Sequence, residues 1–136
     1  MPFSIVKGAK KTTFEISYAS RNGSMLVNGK VNGTPLRFVV DTGATFVVIS
    51  PDIAERAGVE IDESRTVRLQ TANGIIRAPL VTLESVIADD IEFHDVEAVV
   101  HNATSDPDVG LLGMSYFGEH KITINHSSNT IVLEPK

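Results

Sequence analysis

An aspartate, Asp41, stands between two apolar runs, Phe38-Val39-Val40 before it and Phe46-Val47-Val48-Ile49 after it, joined only by Thr42-Gly43-Ala44-Thr45. A strand that has delivered its side chains to a core normally ends in a solvated turn. Here a second core strand starts within a few residues, so the sequence predicts a partly desolvated carboxylate at a tight turn. Gly43 would let the backbone pass close by or take positive φ, and the Thr42 hydroxyl can hydrogen-bond main chain. A carboxylate in that setting is a candidate catalytic group, fit to take or give a proton, rather than a solvated charge.

The same residues bear on other chemistries. Asp41, Gly43 and Thr45 also satisfy the Asp-x-Gly-x-Thr phosphate loop of the actin and sugar-kinase superfamily, but that fold needs two α/β domains, which 136 β-rich residues do not supply. An aspartyl-phosphate phosphatase would want a second acid two residues on, where Gly43 stands. His94, His101, His120 and His126 form neither a helical i, i+4 pair nor a compact cluster, so no metal and no cofactor is expected. Asp89-Asp90 and Asp106-Pro107-Asp108 read as turn acids without the spacing of a calcium loop. Asn102-Ala103-Thr104 fits an N-glycosylation tripeptide, yet nothing marks the chain as secreted.

The elements that must position Asp41 are short strands and turns. Phe14, Ile16 and Tyr18 alternate with polar neighbours, and Ser20-Arg21-Asn22-Gly23 reads as a break; residues 1–22 are expected to be an extension or linker and residues 23–136 the domain. Asn28-Gly29 and Asn32-Gly33 each offer a positive-φ turn, one of them leading into a strand at Leu36 to Val40. Ser50 as N-cap, Pro51 at the first helical position and Gly58 as terminator predict a short helix. Val67 to Thr71 and Ile75 to Ala78 flank Ala72-Asn73-Gly74, a hairpin with a flexible tip. Strands follow at Leu80 to Val86 and Phe93 to Val100, then a loop from His101 to Asp108, then Gly110-Leu111-Leu112-Gly113 and a short helix at Met114 to Phe117. Lys121 to Asn125 and Thr130 to Glu134 close the chain as a hairpin. This pattern predicts an all-β fold, a small closed barrel with one or two short helices.

Composition bounds the function. A chain of 136 residues is one domain with one core, too small for a two-lobed enzyme. A formal charge of −5, few aromatics and no basic stripe beyond Lys7, Lys10 and Lys11 argue against nucleic acid. Cysteine is absent, which excludes disulfides and thiolate metal sites. No window is long enough for a membrane span and no signal-type core opens the chain, so it is expected to be soluble, cytoplasmic or the periplasmic domain of a membrane-anchored protein.

Three features in order, Asp41-Thr42-Gly43-Ala44, the hairpin from Leu69 to Arg77, and Leu111-Leu112-Gly113, resemble a retropepsin-type aspartic protease. Val31-Asn32-Gly33, Val39 to Thr45 and Leu111 to Ser115 are more closely similar to the bacterial retropepsin-like proteases. The resemblance spans roughly Gly23 to Glu134. It implies an acid-protease barrel in which Asp41 is catalytic and the Gly43 amide supports its carboxylate. Thr42 would stiffen the turn across a dimer, and Ala44 would lie along the cleft. Thr71, Ala72, Asn73, Gly74, Ile75 and Ile76 would form a flap over a peptide or protein substrate, and Leu111, Leu112 and Gly113 would thread beside the turn. Aspartic proteolysis needs two carboxylates around one water. One chain has one Asp-Thr-Gly, so a homodimer is expected. The terminal hairpin departs from viral retropepsins, whose terminal strands interleave. A retropepsin-fold dimerisation or peptide-binding module without catalysis is the alternative.

Overall fold

Two Asn-Gly pairs turn the chain back on itself early, because both central positions of each turn are left-handed. Asn22 and Gly23 have φ of 52° and 82°, and Asn32 and Gly33 have 47° and 84°, the geometry that matches the natural twist of a two-residue hairpin. The structure, a computed structural model, describes residues 12–136, and the first turn joins β2 (Ala19–Arg21) to β3 (Ser24–Val31) while the second joins β3 to β4 (Thr34–Val40). Asn28-Gly29 makes no turn. It lies inside β3, at the point where β3 also pairs with a later strand.

A short strand β1 (Phe14–Ser17) precedes β2, and β5 (Val47–Ile49) follows β4. Next comes α1 (Pro51–Arg56), capped by the Ser50 hydroxyl, which accepts from Ile53 N, and ended at Gly58 with φ of 69°. It buries Ile53 and Ala54. A hairpin of β6 (Thr66–Thr71) and β7 (Gly74–Ala88) leads to β8 (Ile91–Val100) and β9 (Val109–Leu112). Then follow α2 (Met114–Phe117), β10 (His120–Asn125) and β11 (Thr130–Pro135).

The two strands expected around Ile75 to Ala78 and Leu80 to Val86 are one, the 15-residue β7. Its pairing changes rather than its direction: up to Pro79 it is paired with β6, and from Leu80 with β8. Pro79, without an N–H, sits where the ladder is handed over.

The large sheet runs β2-β3-β4-β9-β5-β8-β7-β6, and β7 pairs again with β3, so β3, β4, β9, β5, β8 and β7 form a closed barrel. Closure brings backbones close. A Cβ on Gly29 would stand 2.3 Å from the Ile87 carbonyl oxygen, which only glycine permits. Inward side chains alternate along each strand; Val27, Val31, Phe38, Ile49, Leu83, Val86 and Leu112 are buried, each contributing roughly 1.5–3 kcal/mol by leaving water.

A second sheet, β1-β11-β10, adds Phe14, Ile16, Ile131 and Leu133 to the same core. Phe93 packs edge-on against Phe14 and Tyr116, and Tyr116 against Phe117. The fold is therefore all-β with two short helices. Residues 12–22 of the expected extension carry β1 and β2 and pair into both sheets; residues 1–11, with Lys7, Lys10 and Lys11, lie outside the described residues.

Candidate active site

Asp41 begins the turn between β4 and β5, two strands that are consecutive in sequence but not adjacent in the sheet. Strand β9 is threaded between them, parallel to β4 with Val40 opposite Leu112, and antiparallel to β5 with Val48 opposite Leu111. Leu111 and Leu112 thus set the position of the turn from below. The Asp41 amide donates to the Leu112 carbonyl at 3.1 Å, and the Ala44 amide to the Asp41 carbonyl at 3.1 Å. The carboxylate itself is held: Gly43 N–H donates to Asp41 Oδ1 at 3.0 Å, a charge-assisted bond that fixes the side chain over its own turn.

Asp41 is half-buried, and Thr42 and Gly43 are exposed. Among the described residues no cation is ion-paired with Asp41. The expectation of positive φ at Gly43 is not met, since Gly43 is not among the left-handed glycines. A Cβ there would meet only Asp41 Oδ1, at 3.4 Å, an ordinary contact, so Gly43 acts on the carboxylate through its amide rather than through the lack of a side chain. The Thr42 hydroxyl makes none of the turn's hydrogen bonds, which come from backbone amides.

The far side of the turn is fixed by the segment after β9. Gly113 is wedged under it, where a Cβ would fall 2.1 Å from the Phe46 carbonyl oxygen and 2.9 Å from that of Ala44. Met114 N then donates to Ala44 O at 2.8 Å and Ser115 N to Thr45 O at 2.9 Å. The sequence presents Ser115 only as the last residue of the Leu111 to Ser115 run and assigns it no role. Its hydroxyl accepts from Val47 N at 2.8 Å and donates to Glu97 O at 2.6 Å; a single serine two residues after a glycine has no spacing signature that could have marked it.

The hairpin of β6 and β7 turns at Ala72-Asn73, one residue earlier than the Asn-Gly pair suggests, because Thr71 and Gly74 are the closing pair. Gly74 takes φ of 107°. Thr71 Oγ1 donates to Gly74 O at 2.7 Å and accepts from Asn73 N at 3.2 Å. Ile76 is half-buried opposite Leu69, whereas Ile75 is 56% exposed. No hydrogen bond among the described residues joins this tip to the Asp41 turn.

The remaining acids and histidines lie elsewhere. Asp89, with φ of 59°, turns β7 into β8 and accepts from Ser17 N at 2.9 Å. Asp106 Oδ1 accepts from Asp108 N, and Asp108 pairs with Arg56. His126 meets the Tyr18 hydroxyl, His120 the Phe117 carbonyl, and His94 the Glu92 carboxylate. Among the described residues no three His, Cys, Asp or Glu are grouped to hold a metal ion. A groove of about 700 Å³ lies over β3 and β4, between Lys30, Arg37 and Arg56 and the acids Asp89, Asp90, Asp106 and Asp108, and Asp41 is not in its lining. The groove's charged groups are partly paired with one another and its four acids are exposed, whereas Asp41 is half-buried, so the Asp41 turn is the better candidate for chemistry. No helix among the described residues is long and apolar enough to cross a membrane.

The chain is similar in sequence and fold to known proteins. Residues 27–119 match the family model described as "gag-polyprotein putative aspartyl protease". The crystal structure of a retropepsin-like aspartic protease from Rickettsia conorii superposes with a TM-score of 0.61 at 29% identity, covering 90% of each chain. An uncharacterised protein of Rickettsia prowazekii is 31% identical over 103 residues, 75% of this chain and 43% of that protein. A second uncharacterised protein, from the region 5′ of cobV in a Sinorhizobium species, is 31% identical over 96 residues, 70% of this chain and 41% of its own length. The chain therefore spans about two fifths of the curated relatives it matches.

Proposed function

The chain belongs to the retropepsin-like aspartyl protease family matched over residues 27–119, and from that premise we propose that it is an aspartic endopeptidase whose dyad is made of Asp41 from each of two copies. The observation that carries the proposal is the setting of Asp41. Its carboxylate is half-buried and oriented by the Gly43 amide, and no cation among the described residues is ion-paired with it.

In the reaction one Asp41 is ionised and the other protonated, because two like charges a few ångström apart do not both ionise freely. The ionised carboxylate takes a proton from a water as its oxygen attacks the scissile carbonyl carbon. The protonated partner gives its proton to the carbonyl oxygen, forming a neutral tetrahedral diol. Collapse of the diol breaks the C–N bond, with a proton passing to the leaving nitrogen and the other carboxyl recovering its own. No metal or organic cofactor enters this sequence.

The tip from Thr71 to Ile76 then serves as the flap, with Ile75 offering an apolar contact to a peptide or protein substrate lying extended along Ala44. Leu111, Leu112 and Gly113 act as the scaffold beneath.

Digestion of a peptide library by the wild type and by Asp41→Asn tests the reading. Asparagine keeps the shape and the Gly43 bond but removes the titrating oxygen, so cleavage should disappear while the fold remains. A statine-type mimic, whose hydroxyl replaces the attacking water, should inhibit the wild type. Peptidase activity persisting in pure Asp41→Asn would refute the assignment.

A further inference from the structure

The turn that carries Asp41 is held by backbone bonds to β9 and to the start of α2, and on the side of β5 one side chain adds to them. That side chain is Ser115. Its main chain donates to Thr45 O at 2.9 Å, immediately after Met114 N donates to Ala44 O at 2.8 Å. Its hydroxyl then reaches past the turn, accepting from Val47 N at 2.8 Å and donating to Glu97 O at 2.6 Å. One residue therefore joins three elements: the descending limb of the turn at residues 45–47, the start of α2, and the middle of β8.

The chemistry of a hydroxyl suits this place. It gives one proton and accepts another along different directions, so it can link an N–H to a C=O that do not face each other. Val47 is fully buried, and without Ser115 its amide would be left without a partner in a dry setting, where an unpaired donor is costly. Val47 begins β5, which pairs in parallel with β8 from Val47 opposite Ala98. The Ser115 bridge to Glu97 lies one residue before that ladder starts. It stands in for the missing rung between β5 and β8, at the end nearest Asp41.

We infer that Ser115 is a positioning residue for Asp41, fixing the limb at residues 45–47 so that the turn presents its carboxylate in one geometry. The inference rests on the proposed protease reading for its kinetic consequence, but its structural half stands without it. Displacement of a reacting group by about an ångström costs on the order of a hundredfold in rate, whereas substrate contacts along the flap and Ala44 would be little changed. The expected signature is therefore a loss in kcat with KM nearly constant.

Ser50 provides a matched control within the same molecule. Its hydroxyl also bridges a buried amide and a carbonyl, accepting from Ile53 N at 3.1 Å and donating to Pro107 O at 2.6 Å, but it serves the start of α1 rather than the turn. The experiment compares Ser115→Ala, Ser115→Thr and Ser50→Ala with the wild type, reading peptide cleavage and amide hydrogen exchange. Ser115→Ala should lower kcat by about ten- to a hundredfold with KM within twofold, and should speed exchange at residues 42–47. Ser115→Thr, which keeps the hydroxyl, should recover most of the rate. Ser50→Ala should lose stability without the selective loss in kcat or faster exchange at the turn. Equal kinetic losses in Ser115→Ala and Ser50→Ala, or failure of Ser115→Thr to recover activity while folded, would overturn the inference. If the wild type cleaves nothing, the protease reading fails by itself, and exchange at residues 42–47 decides for Ser115: no difference between Ser115→Ala and Ser50→Ala there refutes the positioning role.

Discussion

Gly113 and the Phe46 carbonyl are in contact so close that the first carbon of any side chain at Gly113 would lie 2.1 Å from the Phe46 oxygen. The obstacle is backbone on both sides, so no rotamer relieves it. Gly113→Ala must push the limb at residues 44–46 away from β9 or break the amide bonds from Met114 and Ser115. A loss of about 2–4 kcal/mol is expected, with Tm lower by roughly 10 °C. Thermal unfolding measures it, and a Tm within 2 °C of the wild type, on the same scale of roughly a few degrees per kcal/mol, would show that the limb yields freely.

Activity should depend on concentration, because one chain supplies one Asp41. Specific activity is expected to fall on dilution through the dimer dissociation constant, and an excess of Asp41→Asn should poison the wild type through mixed dimers. Sedimentation run beside the assay checks both. Full activity in a species that sediments as a monomer would contradict the shared dyad.

The hairpin tip gives a third expectation. Ile75 is 56% exposed and, among the described residues, the tip's side-chain bonds are the short-range ones around Thr71, so amides at residues 70–77 should be among the fastest to exchange and should slow severalfold in a complex with a statine-type inhibitor. Unchanged exchange in a saturated complex would make the hairpin structural only.

Alkaline pH probes the core beside the site. Burial pushes the Tyr116 hydroxyl well above the ordinary tyrosine range, and the carboxylates of Asp89 and Asp90 add to the shift. The folded state thus holds the proton more tightly than the unfolded chain. Its contribution to stability is complete below pH of about 10, where free tyrosine titrates, and is lost as pH rises beyond that. Tyr116→Phe should cost about 1 kcal/mol at pH 7 by removing the bond to Ile91 O, yet decline less steeply above pH of about 10. Urea midpoints of both proteins across that range test it; parallel declines would contradict it.

Features encoded by neighbouring residues were legible in the sequence. Asn32-Gly33, the Ser50-Pro51 helix start, Gly58 and the terminal hairpin all appear within a residue or two of where local chemistry puts them. What local pattern could not supply is partner choice between distant strands. The parallel pairings of β4 with β9 and β5 with β8 join segments some fifty to seventy residues apart, and nothing in Val47-Val48-Ile49 alone names Ala98 as a neighbour. The continuity of β7 through Pro79 was hidden for the same reason, since proline reads as a break until the exchange of β6 for β8 is known. At the site, apolar flanks marked Asp41, whereas Ser115 acts through bonds to Val47 and Glu97 that no short motif records.

The three-stranded sheet has β11 at its centre, with β1 on one side and β10 on the other. A strand with both ladders filled has no edge to lend. The sheet ties residues 14–17 to residues 120–135 of the same chain and leaves only β1 and β10 as its edges. If two copies pair as proposed, β11 has no free edge to exchange, so they must meet through other surfaces and the extent of pairing follows the concentration of the chain.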